Sequence, residues 1–184
     1  MCCKHIERGL VVAAEQKIQV LSESGAIKTI ALPPSWQHRL EHRSADGRVV
    51  SAFIAPDSPA VEFCIYRRPS AISQEAGASF LRVLVAPFHE LTGDEIESLD
   101  ILLESMAKSE SFDLRSASTG YLNGKRILRV EGFWKLLGTK TIAVFTNEDD
   151  AGCIVQAIYY SAPDALFEKF LPEASAAFQS VEWM

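Results

Sequence analysis

A chain of 184 residues that is 48% hydrophobic can bury one ordinary core, so residues 1–184 are read as a single domain. Its formal net charge of −6 leaves no overall basic face to displace counterions from phosphate, which argues against a general nucleic-acid binder. No run approaches the roughly 20 apolar residues of a membrane helix. The first residues, "MCCKHIERGLVVAAEQKIQV", have no secretory h-region, so the expectation is a cytoplasmic protein without membrane insertion and with reduced cysteines.

Along the chain, residues 1–8 are expected to be a flexible tail. Cys2 and Cys3 beside His5 lack the separated ligand pairs of a structural zinc site. "IKTIAL", Ile27 to Leu32, alternates and halts at Pro33-Pro34, which predicts a strand. The next stretch, "WQHRLEHRSADGR", contains His38-Arg39-Leu40-Glu41-His42, the H-x-x-E-H pattern of the inverzincin peptidases.

That pattern requires a helix, which would bring His38 and His42 onto one face as zinc ligands with Glu41 as the base. The local signals point to a strand instead. Asp46-Gly47 is a hairpin turn signal before the β-rich run Arg48 to Ala55, and folding about it sets Leu40 opposite Phe53. No metal site is therefore assigned. Arg39, Arg43 and Arg48 would gather at the hairpin end, where they could take a carboxylate or phosphate or form a solvated strand face.

Arg48 to Ala55 and Ala60 to Arg67 read as two strands joined through "PDSP". From Ser73 the period changes to that of a helix. "SQEAGASFLRVLVAPF" has a Ser73 cap, Ala76, Phe80, Val83 and Leu84 at helical spacing, and a stop before Pro87. "LTGDEIESLDILLESMA" predicts a second helix from a Thr92 cap to Ala107, with Ile96, Leu99, Leu103 and Met106 as its apolar stripe. His89, in "PFHELT", precedes that cap and is read as a local hydrogen-bonding residue.

After Phe112 the chain reads as a meander. Asn123-Gly124 is a type I′ turn signal between two β-prone runs, followed by "KTIAVFTN", the turn "EDDAG" and "CIVQAIYYSA". Cys64 and Cys153 fall in such apolar runs and are expected to be buried small hydrophobes. The last helix, Pro163 to Val181, carries Phe167, Phe170, Ala174, Ala177, Phe178 and Val181 on one face, and Pro172 is expected to bend or restart it. This order of elements is that of an α+β fold, an antiparallel meander flanked by helices.

From Asn123 to Trp183 the chain resembles PsbP-like proteins, the fold of photosystem II extrinsic subunits and of a Ran-binding nuclear import factor. The matching features are Ala162-Pro163 at a strand end, Phe167, Phe170 and Phe178 on the helix that follows, and Ser180 before a terminal aromatic strand. The resemblance implies an α/β/α sandwich that acts by binding proteins and carries over no functional residue.

No G-x-S-x-G, phosphate-loop or dinucleotide pattern is present, and no catalytic, cofactor or metal residue is assigned. The expected function is a non-enzymatic cytosolic binding or accessory protein with a protein or peptide partner. The alternative is a small hydrolase using a zinc site at His38/His42 or a cysteine nucleophile, Cys64 or Cys153 meeting His89 in space.

Overall fold

The computed structural model describes residues 19–43, 49–68, 73–99, 103 and 111–184. The expected tail at residues 1–8, with Cys2 and Cys3, and the Asp46-Gly47 turn, with Arg48, lie outside them. Ten strands are described: β1 (Gln19–Ser24), β2 (Ile27–Leu32), β3 (Gln37–Arg43), β4 (Val49–Ala55), β5 (Ser58–Arg68), β6 (Phe112–Leu122), β7 (Lys125–Trp134), β8 (Thr139–Asn147), β9 (Val155–Pro163) and β10 (Glu182–Trp183). Among the described residues, three helices are bounded: α1 (Gln74–Val85), α2 (Gly93–Ser98) and α3 (Asp164–Gln179).

The main sheet has seven strands in the order β3-β4-β5-β9-β8-β7-β6, all paired antiparallel. Strand alternation sends its side chains to two cores, one on each face. Ile142, Val144, Ile158 and Tyr160 join Phe167, Phe170 and Phe178 of α3 on one face. Ala143, Phe145, Leu128 and Val130 join Phe80, Val83 and Leu84 of α1 on the other. Both faces are buried, as the α/β/α reading requires, and each large apolar side chain taken out of water contributes roughly 1.5–3 kcal/mol.

A second sheet, β1-β2-β10, lies at the α3 side; β2 and the terminal aromatic strand β10 are as expected, and β1 is not. β1 is polar, "QVLSES", and is a strand because β2 pairs with it. Gly25 makes the turn between them with φ +62°, and a Cβ there would collide with the Gln156 side chain. Ser180 ties this sheet to α3, since its Oγ accepts from Ala31 N at 2.8 Å and donates to Ala177 O at 2.7 Å.

Local signals were read correctly where the chemistry is local. Ser73 caps α1 by accepting from Ala76 N, and Thr92 and Glu95 form a capping box on α2. Asn123 and Gly124 have φ of 49° and 84°, as a type I′ turn demands. α2 itself ends at Ser98, with Leu99 as its cap, whereas the sequence had suggested one helix to Ala107. Leu103 is helical and buried, and Met106 lies outside the described residues.

Three expectations need correction. Phe53 faces His38, not Leu40; Leu40 faces Ala52, because β3 and β4 are joined by five residues, 44–48, and an irregularity between His38 and Leu40 shifts the register again. Cys153 lies in the turn before β9, partly buried rather than inside a strand. α3 is one helix through Pro172 and does not restart there, because the proline sits on its solvent face, where the carbonyl it leaves unpaired can be hydrated.

Candidate functional site

The H-x-x-E-H segment is the strand β3, so the helical premise of a zinc site is absent. Four residues of extended chain separate His38 from His42 by roughly 13 Å. His38 is exposed, with its ring centroid 4.8 Å from that of Phe53. Arg39 is exposed on the same strand, and the side chains of Glu41, His42 and Arg43 lie outside the described ones. Cys64, partly buried in β5, is a poor nucleophile: burial, and after it the Glu62 carboxylate, push its thiol up to about 12.

His89 does more than hydrogen-bond locally. It sits on the strap from Ala86 to Thr92 that joins α1 to α2 and crosses the outer edge of β6. Leu91 N donates to Ala117 O at 2.7 Å and Thr119 N donates to His89 O at 3.0 Å, so the strap forms a short bridge on the edge strand. The ring Nδ1 lies 2.7 Å from Pro87 O and Nε2 lies 2.9 Å from Glu95 Oε1. The Pro87 carbonyl and then the Glu95 carboxylate hold the imidazole above its ordinary value. Glu95 is held low, first by the Thr92 backbone N–H and then by His89.

Arg126 fixes the strap's other end. Its Nη1 donates to Leu84 O at 2.9 Å and to Ala86 O at 3.0 Å, supplying a cation to the C-terminal carbonyls of α1. The same guanidinium lies 5.3 Å from the centre of the Tyr121 ring.

On the opposite face of β6 and β7 an open groove of about 370 Å³ runs toward α3. Gly120 and Leu122 of β6, Ile127 and Arg129 of β7, Val144 of β8 and Phe178 of α3 line it. Gly120 leaves the floor low, and the Phe88 ring from the strap reaches over the sheet edge, 3.7 Å from where a Cβ of residue 120 would sit. At the groove's end the Asn123 amide donates to Gln179 O and Val181 O, at 2.8 and 2.7 Å, and Trp183 Nε1 donates to Leu122 O at 2.7 Å. The β6–β7 turn is thus fastened to the end of α3, which fixes the groove's width.

Phe88 is 75% exposed and Tyr121 63% exposed. Neither was singled out in the sequence, nor were Arg126 and Arg129. The available signal for Phe88 was an aromatic residue in a short connection between a proline and a helix cap. Nothing in one dimension places it beside Gly120.

No family model matches the sequence, and no curated protein matches it. Among solved structures, the solution structure of cyanobacterial PsbP (CyanoP) from Synechocystis sp. PCC 6803 is similar, with a TM-score of 0.56 over 96% of this chain and 96% of that chain. Sequence identity is 9%, so the likeness is one of fold and transfers no residue roles. The chain has a PsbP-like α+β fold, and the likeness extends over nearly the whole chain rather than the carboxy-terminal half alone. Among the described residues no helix is long and apolar enough to cross a membrane.

Proposed function

We propose that this is a non-enzymatic binding or accessory protein that engages a protein or peptide partner in the groove between β6 and α3. The observation that carries the reading is the exposed Phe88 ring at the rim of an apolar groove on an edge strand. Large rings left in water are costly, and aromatic side chains on a well-shaped groove are the usual anchors of recognition.

The groove's chemistry selects the occupant. Arg129 is the one charged residue lining it among the described residues, and its Nε is engaged by Glu131 at 2.8 Å. Lys125 lies at the groove's end, 5.6 Å from the centre of the Trp183 ring. The expected occupant is a partner segment that inserts a leucine- or phenylalanine-sized side chain and sets a carboxylate beside Arg129. The cytoplasm is the compartment assigned, and the free thiols of Cys64 and Cys153 suit its reducing conditions.

The test is a photo-crosslinking amino acid at Ser118, which lines the groove, in the native cell, with the exposed Lys169 on α3 as the control position. The captured protein is then titrated against Phe88→Asp and Arg129→Glu variants. Each substitution is expected to weaken binding by roughly thirtyfold, as the loss of an interface anchor does. An adduct at position 169 but none at 118, or unchanged affinity in both variants, overturns the reading.

A further inference from the structure

The His89 ring is held between two groups that can only accept. Pro87 O is a carbonyl and Glu95 Oε1 belongs to a carboxylate, and they face Nδ1 at 2.7 Å and Nε2 at 2.9 Å. A neutral imidazole carries one N–H, so it can satisfy one of them and must turn a lone pair toward the other. The imidazolium satisfies both. Thr119 Oγ1, 3.3 Å from Nδ1, offers the neutral ring a donor. Taking it would still leave that nitrogen's lone pair against the Pro87 carbonyl.

We infer that His89 is a proton-operated latch: as the imidazolium it ties Pro87 of the strap to Glu95 of α2 and so steadies the strap where it crosses the β6 edge, and on losing its proton it loosens the strap and shifts Phe88 at the rim of the groove. The part of this inference that concerns recognition rests on the groove reading above. Phe88 sits between the two residues that bracket the latch, Pro87 and His89, so it is the ring most directly coupled to their contact.

The surroundings leave His89 as the group that titrates in the relevant range. From α2 the charged group facing the ring is Glu95, whose other oxygen accepts from Thr92 N at 2.9 Å and from Thr92 Oγ1 at 3.1 Å. Asp94 begins the same helix, and Glu90 is the exposed neighbour on the strap. From β6 the facing side chain is Thr119, which does not titrate. From β7, Arg126 holds the carbonyls of Leu84 and Ala86 at the far end of the strap.

Both partners favour their charged forms. The imidazole is raised, so its contribution is complete below the ordinary histidine value of about 6.5 and is lost as pH rises through the raised value. The Glu95 carboxylate is lowered, so its contribution holds above the ordinary carboxylate range and fails only in stronger acid. The latch is closed between those limits and opens on the alkaline side.

The experiment needs the protein alone. The His89 ring is titrated by NMR while amide protection of Leu91 and Thr119 and the relaxation of the Phe88 ring are followed over the same pH range. Protection factors, corrected for intrinsic exchange, are expected to fall about tenfold as the ring deprotonates, the worth of one charge-assisted hydrogen bond. Phe88 should become more mobile in step. In His89→Gln both readouts should be flat with pH, and Glu95→Gln should move the ring's titration toward its ordinary value. An unshifted His89 titration, or protection and Phe88 relaxation that stay flat across it, overturns the latch. Failure of the groove reading would show in the cross-linking experiment instead, so the two are separable.

Discussion

Arg126 of β7 holds the end of α1 by donating one guanidinium nitrogen to the Leu84 carbonyl at 2.9 Å, across the sheet from the groove. The bond joins a helix end, a strap and a strand that carry no other signal of proximity in the sequence. Its Nη1 also serves Ala86 O, so removing the side chain leaves two partly buried carbonyls without a donor. Arg126→Ala is expected to lower stability by about 1.5–3 kcal/mol, the range for hydrogen bonds to charged groups. A denaturant midpoint unchanged to within the error of extrapolation would show that water replaces the arginine without cost.

Phe170 is 6% exposed and its ring lies edge-on to Trp36, with centroids 6.3 Å apart. Trp36 in turn donates its Nε1 to Glu173 Oε2 at 2.6 Å, so the loop before β3 and helix α3 share one anchor. Phe170→Ala is expected to cost about 3–5 kcal/mol, a large part of a typical net stability. Urea unfolding followed by tryptophan fluorescence checks it, and a loss below about 1 kcal/mol would mean that the ring is not in the core.

The two described thiols should separate kinetically. In a background with Cys2→Ser and Cys3→Ser, Cys153 is expected to react with iodoacetamide in the folded protein, because its turn is accessible and its Sγ donates only a long bond, 3.7 Å, to Ala151 O. Cys64, pushed up to about 12, should react only on unfolding. Equal rates for the two would show that β5 opens locally.

His38 lies exposed on a strand, so His38→Ala should change stability by no more than about 0.5 kcal/mol, as surface substitutions do. The purified protein should carry well under one equivalent of zinc, measured by elemental analysis. Stoichiometric zinc that disappears with His38→Ala would reinstate a metal at β3.

What could be read from the sequence followed the reach of each signal. The β6–β7 turn was legible because Asn123 and Gly124 each supply a backbone preference of their own. The cap of α1 was legible because Ser73 and Ala76 are three residues apart. The meander followed from runs of β-branched and aromatic residues with turns between them. The pairing of His38 with Phe53 was not legible, because a shifted register depends on how far the 44–48 connection reaches and on an irregularity that nothing near Arg39 announces. β1 was missed for a related reason: its polar residues become a strand only against β2. The groove was the least legible of all. Phe88, Gly120, Arg129 and Phe178 meet only because the sheet order carries β6 to the edge, beyond the flank of α3.

The bridge between Glu90 and Ser118 has a consequence for solubility. β6 is an eleven-residue edge strand, long enough to recruit a strand from another molecule. The strap occupies its outward hydrogen-bonding groups at Ala117 and Thr119, in the middle of that exposed margin. It is therefore a gatekeeper against edge-to-edge pairing. Conditions that loosen it also bare the margin, so concentrated protein should be most prone to sheet-mediated self-association when His89 is neutral.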